Sequence, residues 1–161
     1  LSLAQPFIFQ PFVASRMHYF VAFDGTRLSE EAVRRVRSMA HVGDDITVAT
    51  AIPDGDEEFA RKRGWLGEDE SFELETVGDN AREETVSIAP AAEFEALRVG
   101  HHASSGAIGS RLRRLVRDID PDVVVVGSEN AGHQMNAVGS VASSVIGGDS
   151  YDVLVVRHVR E

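Results

Sequence analysis

Three short stretches hold the residue types that could bind a ligand. Asp24-Gly25-Thr26 offers a carboxylate beside a glycine turn, able to accept a hydrogen bond from a base or ribose or to hold a cation. Gly127-Ser128-Glu129-Asn130-Ala131-Gly132 follows a run of four valines, and Gly139-Ser140 comes shortly after. Glycines let backbone approach an anion closely, and the free amides at a helix start favour phosphate. Ser140 adds a hydroxyl donor. The Walker pattern with its lysine and the GxGxxG fingerprint are both absent, which disfavours P-loop and dinucleotide chemistry. Ser128 lacks the Gly-x-Ser-x-Gly setting of a hydrolase nucleophile, and no general base is assigned.

The histidines suggest metal chemistry only weakly. On an extended run His101 and His102 point to opposite faces, so they are poorly placed to share one ion. One of them could join His133 and Asp24 around a divalent cation, while the alternative is plain surface histidines. No metal site is assigned.

Such residues need a scaffold, and the hydropathy pattern supplies one. His18–Phe23 is a short β-rich run ending at Asp24-Gly25. Ser29 is the expected cap of a helix, with Glu30 and Glu31 in its first turn and apolar residues at helical spacing up to Gly43. Ile46–Ile52 is a second strand. Residues 54–92 are acidic and glycine-broken. Asp79–Ala89 is expected to be a helix capped at Asp79 or Asn80, against a hairpin suggested by alternating Phe72, Leu74 and Thr76. Phe94–Val99 is a weak third strand. A helix carries the stripe Ile108, Leu112, Leu115, Val116 and Ile119, and the Ser104-Ser105-Gly106 cluster provides its cap. Val123–Val126 reads as a strand buried on both faces, Ser140–Ile146 as a short helix, and Tyr151–Val156 as the last strand. Five strands separated by helical segments imply an α/β fold with a parallel sheet.

Composition bounds the function. The chain has 161 residues, 43% apolar, without cysteine, so disulfides and thiol chemistry are excluded. A net charge of −10, from 26 acidic and 16 basic residues, argues against nucleic acid or an anionic membrane as partner. Lys62 is the sole lysine, which fits either a salt-rich cytoplasm or an arginine-favouring genome. No apolar run is long enough to span a bilayer. Arg111, Arg113, Arg114 and Arg117 form the one basic cluster, expected to be a solvated helix face paired with nearby acids, or else a dock for an acidic partner. Residues 1–16 read as a leader upstream of a start at Met17, or as an arm whose Phe7, Ile8, Phe9 and Phe12 cover an apolar groove. Residues 17–161 form the domain.

The strand ending in Asp-Gly-Thr, the start Ser29-Glu30-Glu31-Ala32, the VVVVGS of 123–128, Gly139-Ser140-Val141-Ala142-Ser143 and the DVLVVR of 152–157 together resemble the universal stress protein family. The resemblance covers Met17–Arg157 and implies an open, twisted five-stranded parallel sheet in the order 3-2-1-4-5 with helices on both faces. It also implies a cytoplasmic homodimer formed through the last strand, Tyr151–Val156. In many members ATP lies in the crevice where the strand order reverses. Carried onto this chain, Asp24, with Gly25, and the backbone of Ala51 would meet the nucleoside. Gly127, Ser128, Asn130, Gly132, Gly139, Ser140 and Val141 would surround the phosphates of ATP or AMP, with Mg.

The family loop is Gly-x-x-Gly, nine residues, then Gly-Ser/Thr, and this chain departs from it. Asn130 stands at the second glycine position, only eight residues separate it from Gly139, and Glu129 adds a negative charge. At an effective dielectric of ~20, two unit charges ~4 Å apart interact by roughly 4 kcal/mol. The expectation is a regulatory module binding a nucleotide or similar small anion, with at most slow ATP hydrolysis. The alternative is an interaction protein that binds no nucleotide and acts through its dimer surface.

Overall fold

The computed structural model describes residues 16–128 and 150–160. Five strands form one sheet: β1 (His18–Ala22), β2 (Asp45–Pro53), β3 (Glu93–Val99), β4 (Val123–Gly127) and β5 (Asp152–Val156). Between them lie α1 (Arg27–Met39), α2 (Glu57–Lys62), α3 (Leu74–Ile88) and α4 (Ser105–Ile119). The sheet order is β3-β2-β1-β4-β5 and every pairing is parallel, as expected.

The strand reading follows from burial. Phe20, Val21, Val124 and Val125 have no exposed surface, because β1 and β4 are central and covered on both faces. Tyr19, Val21, Ile46, Val48 and Ile52 point to one face, where Ala32, Val33 and Val36 of α1 and Val77 and Ala81 of α3 cover them. Phe20, Ala49, Val124 and Val126 point to the other, under Leu112 and Val116 of α4.

Helix starts needed correction. The cap of α1 is Thr26, not Ser29: Thr26 Oγ1 accepts from the Ser29 amide, and the Ser29 hydroxyl donates back to the Thr26 carbonyl. The helix ends at Met39, and Gly43 serves the following turn at φ +94° rather than closing the helix. α3 begins at Leu74, five residues before Asp79, with no side-chain cap at Glu73. Asn80 therefore sits within the helix and donates to the Trp65 carbonyl (2.9 Å). The helix is confirmed over the hairpin, since Leu74 and Thr76 belong to it. Ser104 caps α4 as expected, accepting from the Ala107 amide. α2 was not anticipated; Asp56 caps it and Glu57–Arg61 and Glu58–Lys62 pair along its surface.

Candidate functional site at the strand ends

Reversal of strand order between β1 and β4 makes a crevice at their carboxyl ends. Asp24 lies just beyond β1, exposed, with Oδ1 accepting from the Thr26 amide (3.0 Å) and hydroxyl (2.6 Å). That turn orients the carboxylate, and Oδ2 keeps its acceptor capacity. Gly25 adopts φ +80°, where a side chain is strained, and a Cβ there would stand 2.9 Å from the Trp65 ring.

Ala51 lies on the neighbouring strand. The β1–β2 ladder ends at Ala22–Ala49, with one further bond from the Phe23 amide to the Ala49 carbonyl (2.9 Å). Ala49 and Ala51 turn their backbone groups to the same side of β2. Ala51 therefore presents its amide and carbonyl past the end of the β1 ladder.

On the far side, Gly127 ends β4. A Cβ on it would fall 2.8 Å from the Leu28 carbonyl carbon and 2.9 Å from its oxygen, so glycine admits the backbone of the first turn of α1. Its glycine thus serves packing, whatever else it does. Ser128 donates its amide to the Val156 carbonyl (3.0 Å), while its buried hydroxyl has no hydrogen-bond partner among the described residues. Thr50 and Thr85 also carry buried hydroxyls without a partner among the described residues, and the segment that follows Ser128 lies outside them. Asn130, Gly132, Gly139, Ser140 and Val141, together with Glu129, His133 and the helix expected at Ser140–Ile146, lie outside the described residues.

A scan against family models matches the universal stress protein family over residues 17–157. The chain belongs to that family. Universal stress protein G of Shigella flexneri and that of Escherichia coli O157:H7 are each 29% identical to it over 130 residues, spanning 81% of this chain and 89% of theirs. Among solved structures, the hypothetical protein MJ0577 is similar with a TM-score of 0.60 at 13% identity, covering 92% of this chain and 100% of that one. A universal stress protein from Archaeoglobus fulgidus follows with a TM-score of 0.52 at 19% identity, covering 88% and 98%. These two likenesses speak to the fold.

Against the universal-stress frame, the β2–β3 connection holds what sequence reasoning missed. After α2 the chain turns at Gly64 and inserts Trp65, 1% exposed, beneath the Asp24-Gly25 turn and against Phe23 and Phe59. The indole Nε1 donates to Glu84 on α3 (2.6 Å). Burial, and then the neighbouring Glu30, push the Glu84 carboxyl above its ordinary value, while the indole bond draws it down. Arg63 lies over the same turn, its Nε donating to the Asp24 carbonyl and its guanidinium 3.7 Å from the Phe59 ring centre. A lone tryptophan beside an arginine was the available signal, but its partners are distant in sequence.

Two further expectations change. His101 and His102 do not point apart: a turn after β3 stacks their rings with centres 4.5 Å apart. Among the described residues no group of three His, Asp or Glu is placed to hold a metal. Arg111, Arg113, Arg114 and Arg117 are not paired with acids, since none of them has a carboxylate within 4.0 Å among the described residues. No helix of the described residues is long and apolar enough to cross a membrane. A hollow of about 390 Å³ lined by Arg37, Val42, Ala89 and Pro90 lies by the amino ends of the strands, away from the crevice.

Proposed function

We propose that the chain is a universal-stress-type regulatory protein that binds a nucleotide, ATP or AMP, or a similar small anion at the switch point, without efficient turnover. The observation that carries this reading is the convergence at one sheet end of three features. They are the oriented, exposed Asp24 carboxylate, the Ala51 backbone beyond the end of the β1 ladder, and, beside Gly127, the buried Ser128 hydroxyl, which has no hydrogen-bond partner among the described residues. Asp24 and the Ala51 backbone suit the polar edges of a base and ribose. The loop continuing from Gly127 and Ser128, with Asn130, Gly132, Gly139, Ser140 and Val141, would take the phosphate, and Mg would offset the Glu129 charge. The protein works as a cytoplasmic homodimer joined through β5, whose outer edge is unpaired within the sheet order.

Isothermal titration with Mg-ATP and AMP, at low and high salt, tests the binding. Heat and saturation at sub-millimolar ligand are expected, and no heat at millimolar ligand in either buffer overturns the reading. Sedimentation of the same samples tests the dimer. A second reading, a protein that binds partners rather than nucleotide, draws on the arginines of α4, which have no carboxylate partner among the described residues and suit an acidic surface.

A further inference from the structure

Apolar surface without a partner falls in two places that meet at one end of the sheet. Residues 1–15, which lie outside the described residues, carry no charged side chain in a chain that is 26% charged, and they include Phe7, Ile8, Phe9 and Phe12. Among the described residues, the two large apolar side chains left exposed are Met39, the last residue of α1, and Val42, just beyond it. Val42 lines the hollow of about 390 Å³ by the amino ends of the strands. We propose that residues 1–15 fold back onto that hollow of their own chain and close it with an aromatic side chain, Phe12 being the nearest in sequence.

The point where the segment joins the sheet selects this place. Asp44 lines the hollow, its Oδ1 accepting from the Met17 amide (3.0 Å) and its Oδ2 from the His41 amide (2.8 Å). These amides, Met17 first, hold the Asp44 carboxyl below its ordinary value and keep it in the charged, accepting form. The Asp45 amide donates to the Met17 carbonyl (2.8 Å), and Arg16 pairs with the Asp45 carboxylate (2.7 Å). The first described residues are therefore pinned at the rim of the hollow. Phe12 stands five residues before Met17, so a tether of at most about 18 Å joins its backbone to that rim.

The chemistry of the hollow suits such an occupant. The turn after α1 brings Ala40 and Val42, the start of β2 brings Ile46, and the end of α3 brings Ala89 and Pro90. Its size falls at the low end of the ~300–1,000 Å³ of sites that enclose a small ligand, room enough for a phenyl ring. Arg37 also lines it, with Nη1 held by the Ile88 carbonyl (2.9 Å), and supplies a cation that an aromatic face can use. An uncharged segment brings no charge to desolvate there, and covering Val42 with the ring removes apolar surface of both from water. The rivals are a leader that touches nothing and an arm that crosses to a second copy. Which residues the segment touches separates the three.

Full-length chain carrying photoreactive benzoylphenylalanine in place of Phe7, Phe9 or Phe12 tests the contact, with crosslinks mapped by mass spectrometry. Crosslinks within one chain to 37–46 or 88–91, strongest from position 12, are expected. Mixing with isotope-labelled protein identifies crosslinks between chains. Crosslinks that form only between chains, or only to other parts of the chain, or from none of the three positions, overturn the proposal. Thermal unfolding without ligand and amide exchange give a second readout. Removing residues 1–15 is expected to lower Tm by about 3–6 °C and to speed exchange at 42–46 and 88–92. Phe12→Ser in the full chain should account for about half of the Tm loss or more. Unchanged Tm and exchange after the removal also overturn the proposal. The outcome is independent of the switch-point reading, since the hollow lies by the amino ends of the strands and the crevice at their carboxyl ends.

Discussion

Gly127→Ala tests whether that glycine is there for the helix behind it or for a ligand in front of it. The added Cβ would lie 2.8 Å from the Leu28 carbonyl carbon, against the 3.4 Å at which ordinary contact begins, so about 0.6 Å of movement is required. Both nearest atoms belong to backbone in the first turn of α1, and α1 is locked by Ala32, Val33 and Val36, all fully buried. Overpacking a tight interior costs about 1–3 kcal/mol. Taking about 2 kcal/mol, a domain of this size should lose roughly 4–8 °C in Tm. The assay is thermal unfolding without any ligand, followed by far-ultraviolet circular dichroism and by the emission of Trp65. Ser128→Ala is the control, because it removes a hydroxyl with no partner among the described residues and should leave the apo Tm within about 2 °C. A Gly127→Ala protein that melts with wild type would refute the packing account and leave the glycine to the ligand alone.

Other perturbations reach the elements around the crevice. Trp65→Ala should cost about 3–5 kcal/mol in urea unfolding, since it empties a buried site and strips Glu84 of its indole donor; a loss under 1 kcal/mol speaks against Trp65 as the wedge beneath the turn. The Glu84 carboxyl is raised above 4.5 by burial and by Glu30, so the folded chain binds its proton more readily than the unfolded one. Its ionisation therefore destabilises the fold above the raised value, and acidification toward 4.5 recovers that stability. Glu84→Gln, which keeps an acceptor for Trp65, should be more stable than wild type at pH 7, with the gap closing near pH 4.5; a gap constant with pH contradicts this. For Glu31 the sign reverses. Burial raises its pKa, but bonds from Arg35, the Arg160 backbone and Arg34 outweigh that and hold it below 4.5. Glu31→Gln should destabilise at pH 7, the deficit shrinking as wild type is acidified below 4.5, and equal denaturation midpoints at pH 7 would count against it.

The strands were legible to within a residue or two, most plainly Val123–Val126, whose burial on both faces leaves an unbroken apolar run, whereas the largely exposed β3 gave a weaker signal. Their spatial order came from the family resemblance; the spacing of elements alone permits several. Helix starts were harder, since Thr26 and Ser29 are both good caps and only the Asp24 turn decides between them. At α3 the buried Val77, Ala81 and Thr85 repeat every fourth residue, but the alternation of Phe72, Leu74 and Thr76 hid that the helix begins at Leu74. In the candidate site, Asp24, Gly25, Ala51, Gly127 and Ser128 could be named from turn chemistry and resemblance, because each sits at the end of a strand. Arg63 and Trp65 could not. Their roles depend on Asp24, Gly25 and Glu84, which only the folded chain brings near.

The central place of β1 also has a history in time. Its one neighbour, β2, follows directly, but the other is β4, and the bond from the His18 amide to Asp122 spans 104 residues. Chains are synthesised at roughly 5–20 residues per second, so β4 emerges about 5–20 s after β1. During that interval the half-sheet β3-β2-β1 can form with α1 and α3 on one face, leaving Phe20 and an open strand edge waiting on the other. A nascent chain at that stage offers a ready template for another strand. Until the fourth strand arrives, β1 has only one of its two neighbours in the sheet.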